Sequence, residues 1–426
     1  MKNALRFLAF LGLAVLLFSA AVADRTEVVS VAKSAGRAAW LAAQGFDLLA
    51  EHEGRIFLAV SPEDLARLSD LRLPFRLETA RLRAGLPAEP APAGGINGDY
   101  HSYRELEAEL QTLARDFPSL TKLSTIGQSL EGRNLYALKV SDNAAVDEKE
   151  PGFLILGCHH AREWISVEVP LLFARYLVEN YATDAAVRDI VNRGETWVVP
   201  LVNPDGLEYS IHVYRYWRKN RRLNTDGSFG IDLNRNYGYK WGYDEVGSSG
   251  TPASEVYRGA APFSEPEADA CRRFFLEHDF RALVSYHSYA QIILYPWGYI
   301  DAPTDQDAAL AALARKMAEL MLPVNGRLYD YDRAAAGLYT TNGDTTDWAF
   351  AVAGIPAFTI ELPPLDILHG GFFNKETDIL PIFQENLPAL LFLARTAFAA
   401  GMPGTDGEQE ARTAAPPRRG GDRGKD

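Results

Sequence analysis

The chain predicts an α/β fold, a mixed and largely parallel twisted sheet flanked by helices, preceded by a small α+β unit. Two observations carry this. Apolar runs of strand length at residues 135–140, 153–156, 196–201, 283–286 and 357–362 are mostly separated by longer stretches with apolar residues at helical spacing. Ahead of them, residues 87–98 read Pro-Ala-Glu-Pro-Ala-Pro-Ala-Gly-Gly-Ile-Asn-Gly, a linker stiff at its start and loose at its end.

The elements follow in order. Lys2 and Arg6 precede an apolar stretch over residues 7–18, and Ala21-Val22-Ala23 supplies a small-residue cleavage pattern. Residues 1–23 therefore read as a signal peptide, since the stretch is shorter than the roughly 20 residues a membrane span requires. The mature chain is expected to be secreted or periplasmic. Residues 24–86 predict strands at 28–31 and 55–60 and a helix at 33–44. A second helix opens on Ser61-Pro62-Glu63-Asp64, where a hydroxyl caps, proline fits the first turn and acids suit the dipole. About 60 residues is near the lower limit for a self-sufficient core.

Residues 99–400 form the main unit. Ser102-Tyr103-Arg104-Glu105 is a capping box that opens a helix reaching about residue 117. Further helices are expected at 164–181, 265–278, 308–322 and 382–397. Residues 401–426 carry Gly, Pro, Arg and acids without apolar anchors and read as a disordered tail.

The 426 residues are 47 % apolar and 23 % charged, with a net charge of -13 and a pI near 5.2. Scattered bases in an acidic chain argue against a nucleic-acid partner. No later segment has the apolar length of a membrane span, and a monomer is expected. Two cysteines, Cys158 and Cys271, make no disulfide scaffold. Whether they pair or stay as buried thiols is open at this level.

Chemistry-bearing residues sit where the strands end, which is where α/β sheets gather reactive groups. The 153–156 strand leads to His160-Ala161-Arg162-Glu163, the 283–286 strand to His287, and the 357–362 strand contains Glu361. Two imidazoles and a carboxylate are a standard catalytic zinc set with one position left for water. A further carboxylate can serve as base. Composition leaves open which acid ligates and which accepts the proton. His159 reads as a spacer or a support to the ligands.

Ordered blocks then identify a resemblance. They run from Tyr100-His101-Ser102-Tyr103 through His160-Ala161-Arg162-Glu163-Trp164, Asn203-Pro204-Asp205-Gly206 and Trp217-Arg218-Lys219-Asn220-Arg221 to Asp232-Leu233-Asn234-Arg235-Asn236. Ser264-Glu265-Pro266-Glu267, Ser285-Tyr286-His287-Ser288-Tyr289, Tyr295-Pro296-Trp297-Gly298-Tyr299, Asp347-Trp348 and Thr359-Ile360-Glu361-Leu362 follow. The main unit resembles the zinc metallocarboxypeptidases of the carboxypeptidase A/B type, including bacterial secreted carboxypeptidase T-like members.

The resemblance implies a metallocarboxypeptidase-like sheet, one Zn2+ per chain, and hydrolysis of the C-terminal peptide bond of peptides and proteins. It makes His160, Glu163 and His287 the zinc ligands and Glu361 the general base. Arg218 polarises the scissile carbonyl, and Asn234 and Arg235 hold the substrate's terminal carboxylate. Tyr339 closes over the substrate, while Arg162 and Tyr289 belong to its subsites. A cis peptide bond is implied at Ser288-Tyr289.

The family pattern also places Gly298, Ala334, Leu338, Thr341 and Thr346 round the pocket for the C-terminal side chain. Thr346 stands where the apolar-selective animal type has isoleucine and the basic-selective type has aspartate. Asp344, two residues earlier, joins the pocket if it points inward. The expected preference is apolar or aromatic first, with lysine and arginine also accepted if Asp344 does so. Residues 24–86 resemble the propeptides of bacterial members, which makes them an inhibitor of this chain's own enzyme and residues 87–98 the target of an activating protease. An attached chaperone or substrate-positioning module is the alternative. Two competing functions stay open: a zinc amidase or peptidase acting on cell-wall peptides, and a non-catalytic peptide-binding domain.

Overall fold

The computed structural model describes residues 27–78 and 97–399, except Gly45, Glu53, Ser61 and Asp147. The expected signal peptide, the linker up to residue 96 and the expected tail lie outside the described residues.

The N-terminal part comprises β1 (Glu27–Ala32), α1 (Arg37–Ala43), β2 (Asp47–His52), β3 (Arg55–Val60), α2 (Pro62–Asp70) and β4 (Phe75–Leu77). Its strands form an antiparallel sheet in the order β2-β3-β1-β4. Alternation along β3 explains its continuous apolar run. Ile56, Leu58 and Val60 pack with Val29, Val31, Leu41 and Leu68 in one core. Phe57 and Ala59 point the other way, where they meet Val28, Leu49 and the distant Ile367 and Phe372. The small sheet thus buries both faces, one of them against the larger unit. β2 escapes the sequence reading because polar residues sit at both of its ends and a bulge shifts its register against β3 between Leu48 and Ala50.

The larger sheet has eight strands: β5 (Thr121–Gln128), β6 (Asn134–Val140), β7 (Gly152–Gly157), β8 (Glu195–Val199), β9 (Phe280–Ser288), β10 (Ile292–Tyr295), β11 (Asp330–Arg333) and β12 (Ala357–Leu362). Their order is β11-β10-β12-β9-β7-β8-β6-β5. The centre, β12-β9-β7-β8, is parallel, as is β10 with β11, while β5, β6 and the β10–β12 pair run antiparallel. This is the mixed, largely parallel sheet expected. β7, β8 and β12 are buried at every position, as parallel strands covered on both faces must be.

The helices are α3 (Tyr103–Asp116), α4 (Ile165–Asn180), α5 (Ala185–Val191), α6 (Pro204–His212), α7 (Pro266–Glu277), α8 (Asp307–Asn325), the single turn α9 (Ala334–Gly337), α10 (Thr345–Ala353) and α11 (Ile379–Ala397). Ser102 and Glu105 make the expected reciprocal cap of α3. The long amphipathic helices fall close to their predicted spans. β5 and β11 are missed because partly exposed residues interrupt their apolar pattern, and β10 is only four residues long. Cys158 and Cys271 are buried and unpaired.

Parallel neighbours end on the same side of a sheet. Gly157 of β7 lies opposite Tyr286 of β9, and Glu361 of β12 lies opposite His287. Three separate stretches of sequence thus deliver an imidazole loop, a second imidazole and a carboxylate to one edge.

Candidate active site

β7 ends in a turn that only glycine permits. A Cβ on Gly157 would stand 2.2 Å from the Ser166 carbonyl oxygen and 2.6 Å from that of Pro200. The chain then loops through residues 158–164 before α4 begins. Asn203 Nδ2 donates to the carbonyl oxygens of His159 and Lys219, at 3.0 and 3.1 Å, and Ala161 N donates to the Arg218 carbonyl at 2.9 Å. These bonds pin the loop to the segment that carries Arg218.

The loop aims His160 and Glu163 at His287. His160 Nδ1 lies 2.8 Å from Glu163 Oε1, and His287 Nδ1 lies 3.0 Å from Glu163 Oε2 and 3.1 Å from His160 Nδ1. All three residues are buried, and their ligand atoms lie within 4.8 Å of one another. Burial alone would raise the Glu163 pKa, but the two imidazoles outweigh it and hold the carboxyl well below its usual range. Burial lowers the His287 pKa, and Glu163 only partly offsets it. Two imidazole Nδ1 atoms facing one carboxylate are a two-nitrogen, one-oxygen donor set, which fits a catalytic zinc ion.

Behind the cluster, Asp232 links two functions. Its Oδ1 lies 3.2 Å from His160 Nε2, and its Oδ2 accepts from Arg218 Nε and Nη2 at 3.1 and 2.8 Å. Oδ1 also accepts from Asn234 N at 3.0 Å, capping the short turn Leu233–Arg235. Burial opposes ionisation of Asp232, but Arg218 and His160 keep its pKa well below the ordinary value. The same carboxylate outweighs the burial of Arg218 and raises that pKa. The sequence reading quoted Asp232 in a motif without giving it a role. Its position directly before Leu-Asn-Arg was the available signal.

Arg235 is almost fully buried. Its Nε donates to Gly247 O and its Nη1 to Asn234 O, both at 2.8 Å, and its guanidinium lies 5.9 Å from the ring of the half-exposed Tyr339. Glu361 is buried, and its Oε2 has no hydrogen-bond partner. Burial and nearby Glu163 push its pKa well above the carboxylate range, against Arg218 and Arg235. An unpartnered carboxylate oxygen beside a three-ligand cluster is costly unless something binds there.

Four of the predicted pocket residues meet at Gly298. A Cβ there would fall 2.3 Å from Thr341 Oγ1, 2.9 Å from Asp344 Oδ2 and 3.5 Å from Ala334 Cβ. Asp344 caps α10 and is buried. Its Oδ1 accepts from Thr346 Oγ1 at 2.9 Å and Asp347 N at 2.8 Å, and its Oδ2 accepts from Thr341 Oγ1 at 2.7 Å. Leu338 is partly exposed at the end of α9. Arg162 and Tyr289 face the N-terminal part instead. Arg162 Nη1 donates to Asp47 Oδ2 at 2.6 Å, and Tyr289 Oη donates to Leu49 O at 2.6 Å. The peptide bond Ser288-Tyr289 is cis, as the resemblance implied, and so are Pro296-Trp297 and Pro363-Pro364.

A mixed, largely parallel sheet that delivers such a donor set to one edge fits a metallohydrolase. The family model for zinc carboxypeptidases matches residues 106–389. A carboxypeptidase B from Astacus astacus is 35 % identical over 300 residues, covering 69 % of this chain and 96 % of that protein. A zinc carboxypeptidase from Saccharothrix mutabilis subsp. capreolus is 36 % identical over 308 residues, covering 69 % of each. Among solved structures, the carboxypeptidase A from Helicoverpa armigera superposes with a TM-score of 0.74 at 25 % identity, over 89 % of this chain and 99 % of that one. The chain belongs to the zinc carboxypeptidase family. It is a zinc-dependent enzyme that hydrolyses peptides at their C-terminal end. Among the described residues no helix is long and apolar enough to cross a membrane.

Proposed function

We propose that His160, Glu163 and His287 hold one zinc ion per chain and that Glu361 is the general base of a broad-specificity carboxypeptidase. The observation that carries this is the convergence of three ligand atoms beside the unpartnered Glu361 Oε2. When bound, zinc supplies a Lewis acid that acidifies water and polarises a carbonyl oxygen. Glu361 takes a proton from the attacking water as its oxygen bonds to the carbonyl carbon. It passes that proton to the amide nitrogen as the C–N bond breaks, leaving a carboxylate and a free amine. Arg218, fixed by Asp232, faces the negative charge that develops on the carbonyl oxygen. Arg235 and Asn234 receive the terminal carboxylate, because a guanidinium fork and a neutral amide suit that group. Tyr339 closes over the substrate, and Arg162 and Tyr289 line its upstream part.

The pocket at Gly298, Ala334, Leu338, Thr341, Asp344 and Thr346 takes the C-terminal side chain. Its walls suit apolar and aromatic residues. Asp344 Oδ2 borders the pocket with spare acceptor capacity, since a carboxylate oxygen accepts more than one hydrogen bond. That supports lysine and arginine as further substrates. Peptides ending in Phe, Leu, Arg and Glu, assayed with and without a chelator, test the reading. Cleavage of all but the Glu peptide, abolished by chelation, is expected, and a strong preference for Glu would sink it. Asp344→Asn should lower kcat/KM for Arg by about 10- to 100-fold, the worth of a charge-assisted hydrogen bond. The Phe peptide should change far less.

The contacts of Asp47 and Leu49 with Arg162 and Tyr289 support residues 24–86 as an inhibitory propeptide, released by cleavage within residues 87–98 of an exported, monomeric zymogen. Peptide hydrolysis by the uncut chain should rise on cleavage there. Asp47→Ala should raise the uncut chain's activity, and unchanged rates in both cases would exclude inhibition.

A further inference from the structure

Glu265 opens α7 as its N-cap residue, yet its side chain makes no capping bond to that helix. It is completely buried, and a carboxylate so placed is costly unless it has partners. Its Oε1 and Oε2 accept from Arg222 Nε at 2.8 and 2.7 Å, and Oε2 also accepts from Asn220 Nδ2 at 2.7 Å. Its neighbour Ser264 donates from Oγ to Oε1 at 2.9 Å. Arg222 and Asn220 both belong to the segment that carries Arg218.

Two buried asparagines make Glu265 a bridge between the loops of Arg218 and Arg235. Asn220 Oδ1 accepts from Ile231 N at 2.8 Å and from Arg222 N at 3.3 Å, while Asn220 N donates to Ile231 O at 3.0 Å. Backbone N–H groups can only donate, so the amide oxygen is fixed there and the NH2 faces Glu265. Ile231 directly precedes Asp232, whose carboxylate holds Arg218 by two bonds. The stretches that carry Arg218 and Asp232 are therefore joined at Asn220, and Glu265 holds Asn220. On the other side, Glu265 N donates to Asn236 Oδ1 at 3.1 Å. Asn236 Nδ2 donates to the carbonyl oxygens of Arg258 and Ala261 at 2.9 and 3.1 Å, so backbone groups fix this amide too. Asn236 directly follows Arg235 and closes its short turn, donating from N to Leu233 O at 3.2 Å.

We propose that Glu265 is a positioning residue that fixes Arg218 through Asn220 and the turn of Arg235 through Asn236. One peptide must meet both arginines at once, and a misplacement of about 1 Å can cost on the order of 100-fold in rate. A link between the two loops, anchored at the start of a helix, preserves that spacing before substrate arrives. Its two arms are chemically separate. The carboxylate serves Asn220, and the backbone N–H serves Asn236. The inference rests on the roles given above to Arg218 and Arg235, but the linkage is a property of the chain itself.

The test assays the zinc-loaded chain, cleaved within residues 87–98, on a C-terminal Phe peptide. Glu265→Ala should lower kcat about 10- to 100-fold and leave KM nearly unchanged, because its backbone N–H still serves Asn236. Glu265→Gln, which keeps an acceptor for Asn220, should recover part of the loss. Asn236→Ala should instead raise KM about 10-fold, as weaker binding of the terminal carboxylate does. Added to Arg218→Ala, Glu265→Ala should lower kcat less than about 3-fold further, since coupled residues are not additive. An equal loss in both backgrounds would overturn the proposal. NMR of the uncut, zinc-loaded chain labelled with 15N-arginine reads the linkage apart from the chemistry. The Arg218 Nε–H signal, identified by its absence in Arg218→Lys, should shift and exchange with solvent faster in Glu265→Ala. An unmoved signal would also overturn the proposal. A moved signal together with native kcat in Arg218→Ala would remove Arg218 from its role and leave the linkage standing. Should Glu265→Ala bind no zinc, Asn220→Ser cuts the same arm and decides by the same measurements.

Discussion

Glu361→Gln is expected to lower kcat by about 10²- to 10⁴-fold, the range general-base catalysis contributes, with zinc content unchanged. Glutamine has nearly the shape of glutamate, so β12 and its pairing with His287 at the sheet edge should survive. What is lost is an atom that can take a proton. In the native chain Glu361 Oε2 is buried and bonded to no protein group, so no structural hydrogen bond disappears with it. A fall in kcat therefore reports chemistry rather than unfolding. KM should move little, because the proposed sites for the terminal carboxylate and side chain lie elsewhere, at Arg235 and round Gly298. Steady-state kinetics on a C-terminal Phe peptide, with metal analysis of the same sample, would check this. A variant that keeps a tenth of the native kcat would remove Glu361 from its role.

Much of this site was legible from strand ends. β7, β9 and β12 announce themselves as buried apolar runs, and the residues that follow or close them are those brought together at the sheet edge. Period and burial therefore gave the approximate positions of His160, His287 and Glu361. Other parts were less accessible. β5 and β11 carry exposed positions that break their pattern, and β2 owes its place to hairpin pairing with the adjacent β3 rather than to a clear apolar pattern of its own. Asp232 is a harder case. It touches Arg218 and His160, neither of them its neighbour in sequence, so only the folded geometry reveals the contact. Asp344 shows the same limit. The sequence left its direction open, and only the fold shows that it caps α10 and lies close to Gly298.

Arg218→Ala should cost about 10²- to 10³-fold in kcat, close to 3 kcal/mol of barrier, as loss of one oxyanion donor does. The argument is geometric. Arg218 spends Nε and Nη2 on Asp232 and is held rigid by that double contact, so its charge is oriented before substrate arrives. Charge on the carbonyl oxygen grows only as water adds, so the arginine's contribution appears in kcat far more than in KM. A complication follows from the same contact. Removing the guanidinium leaves Asp232 buried without its main cation, and breaking a buried pair typically costs about 3–5 kcal/mol of stability. Thermal unfolding must therefore be measured beside the kinetics. Arg218→Lys separates the two effects, since it keeps a positive charge near Asp232 but loses the planar fork. It should recover stability more fully than turnover. Added guanidinium ion should restore part of the activity of Arg218→Ala by filling the vacated space. An Arg218→Ala enzyme with native kcat and a raised KM would instead assign this arginine to ground-state binding.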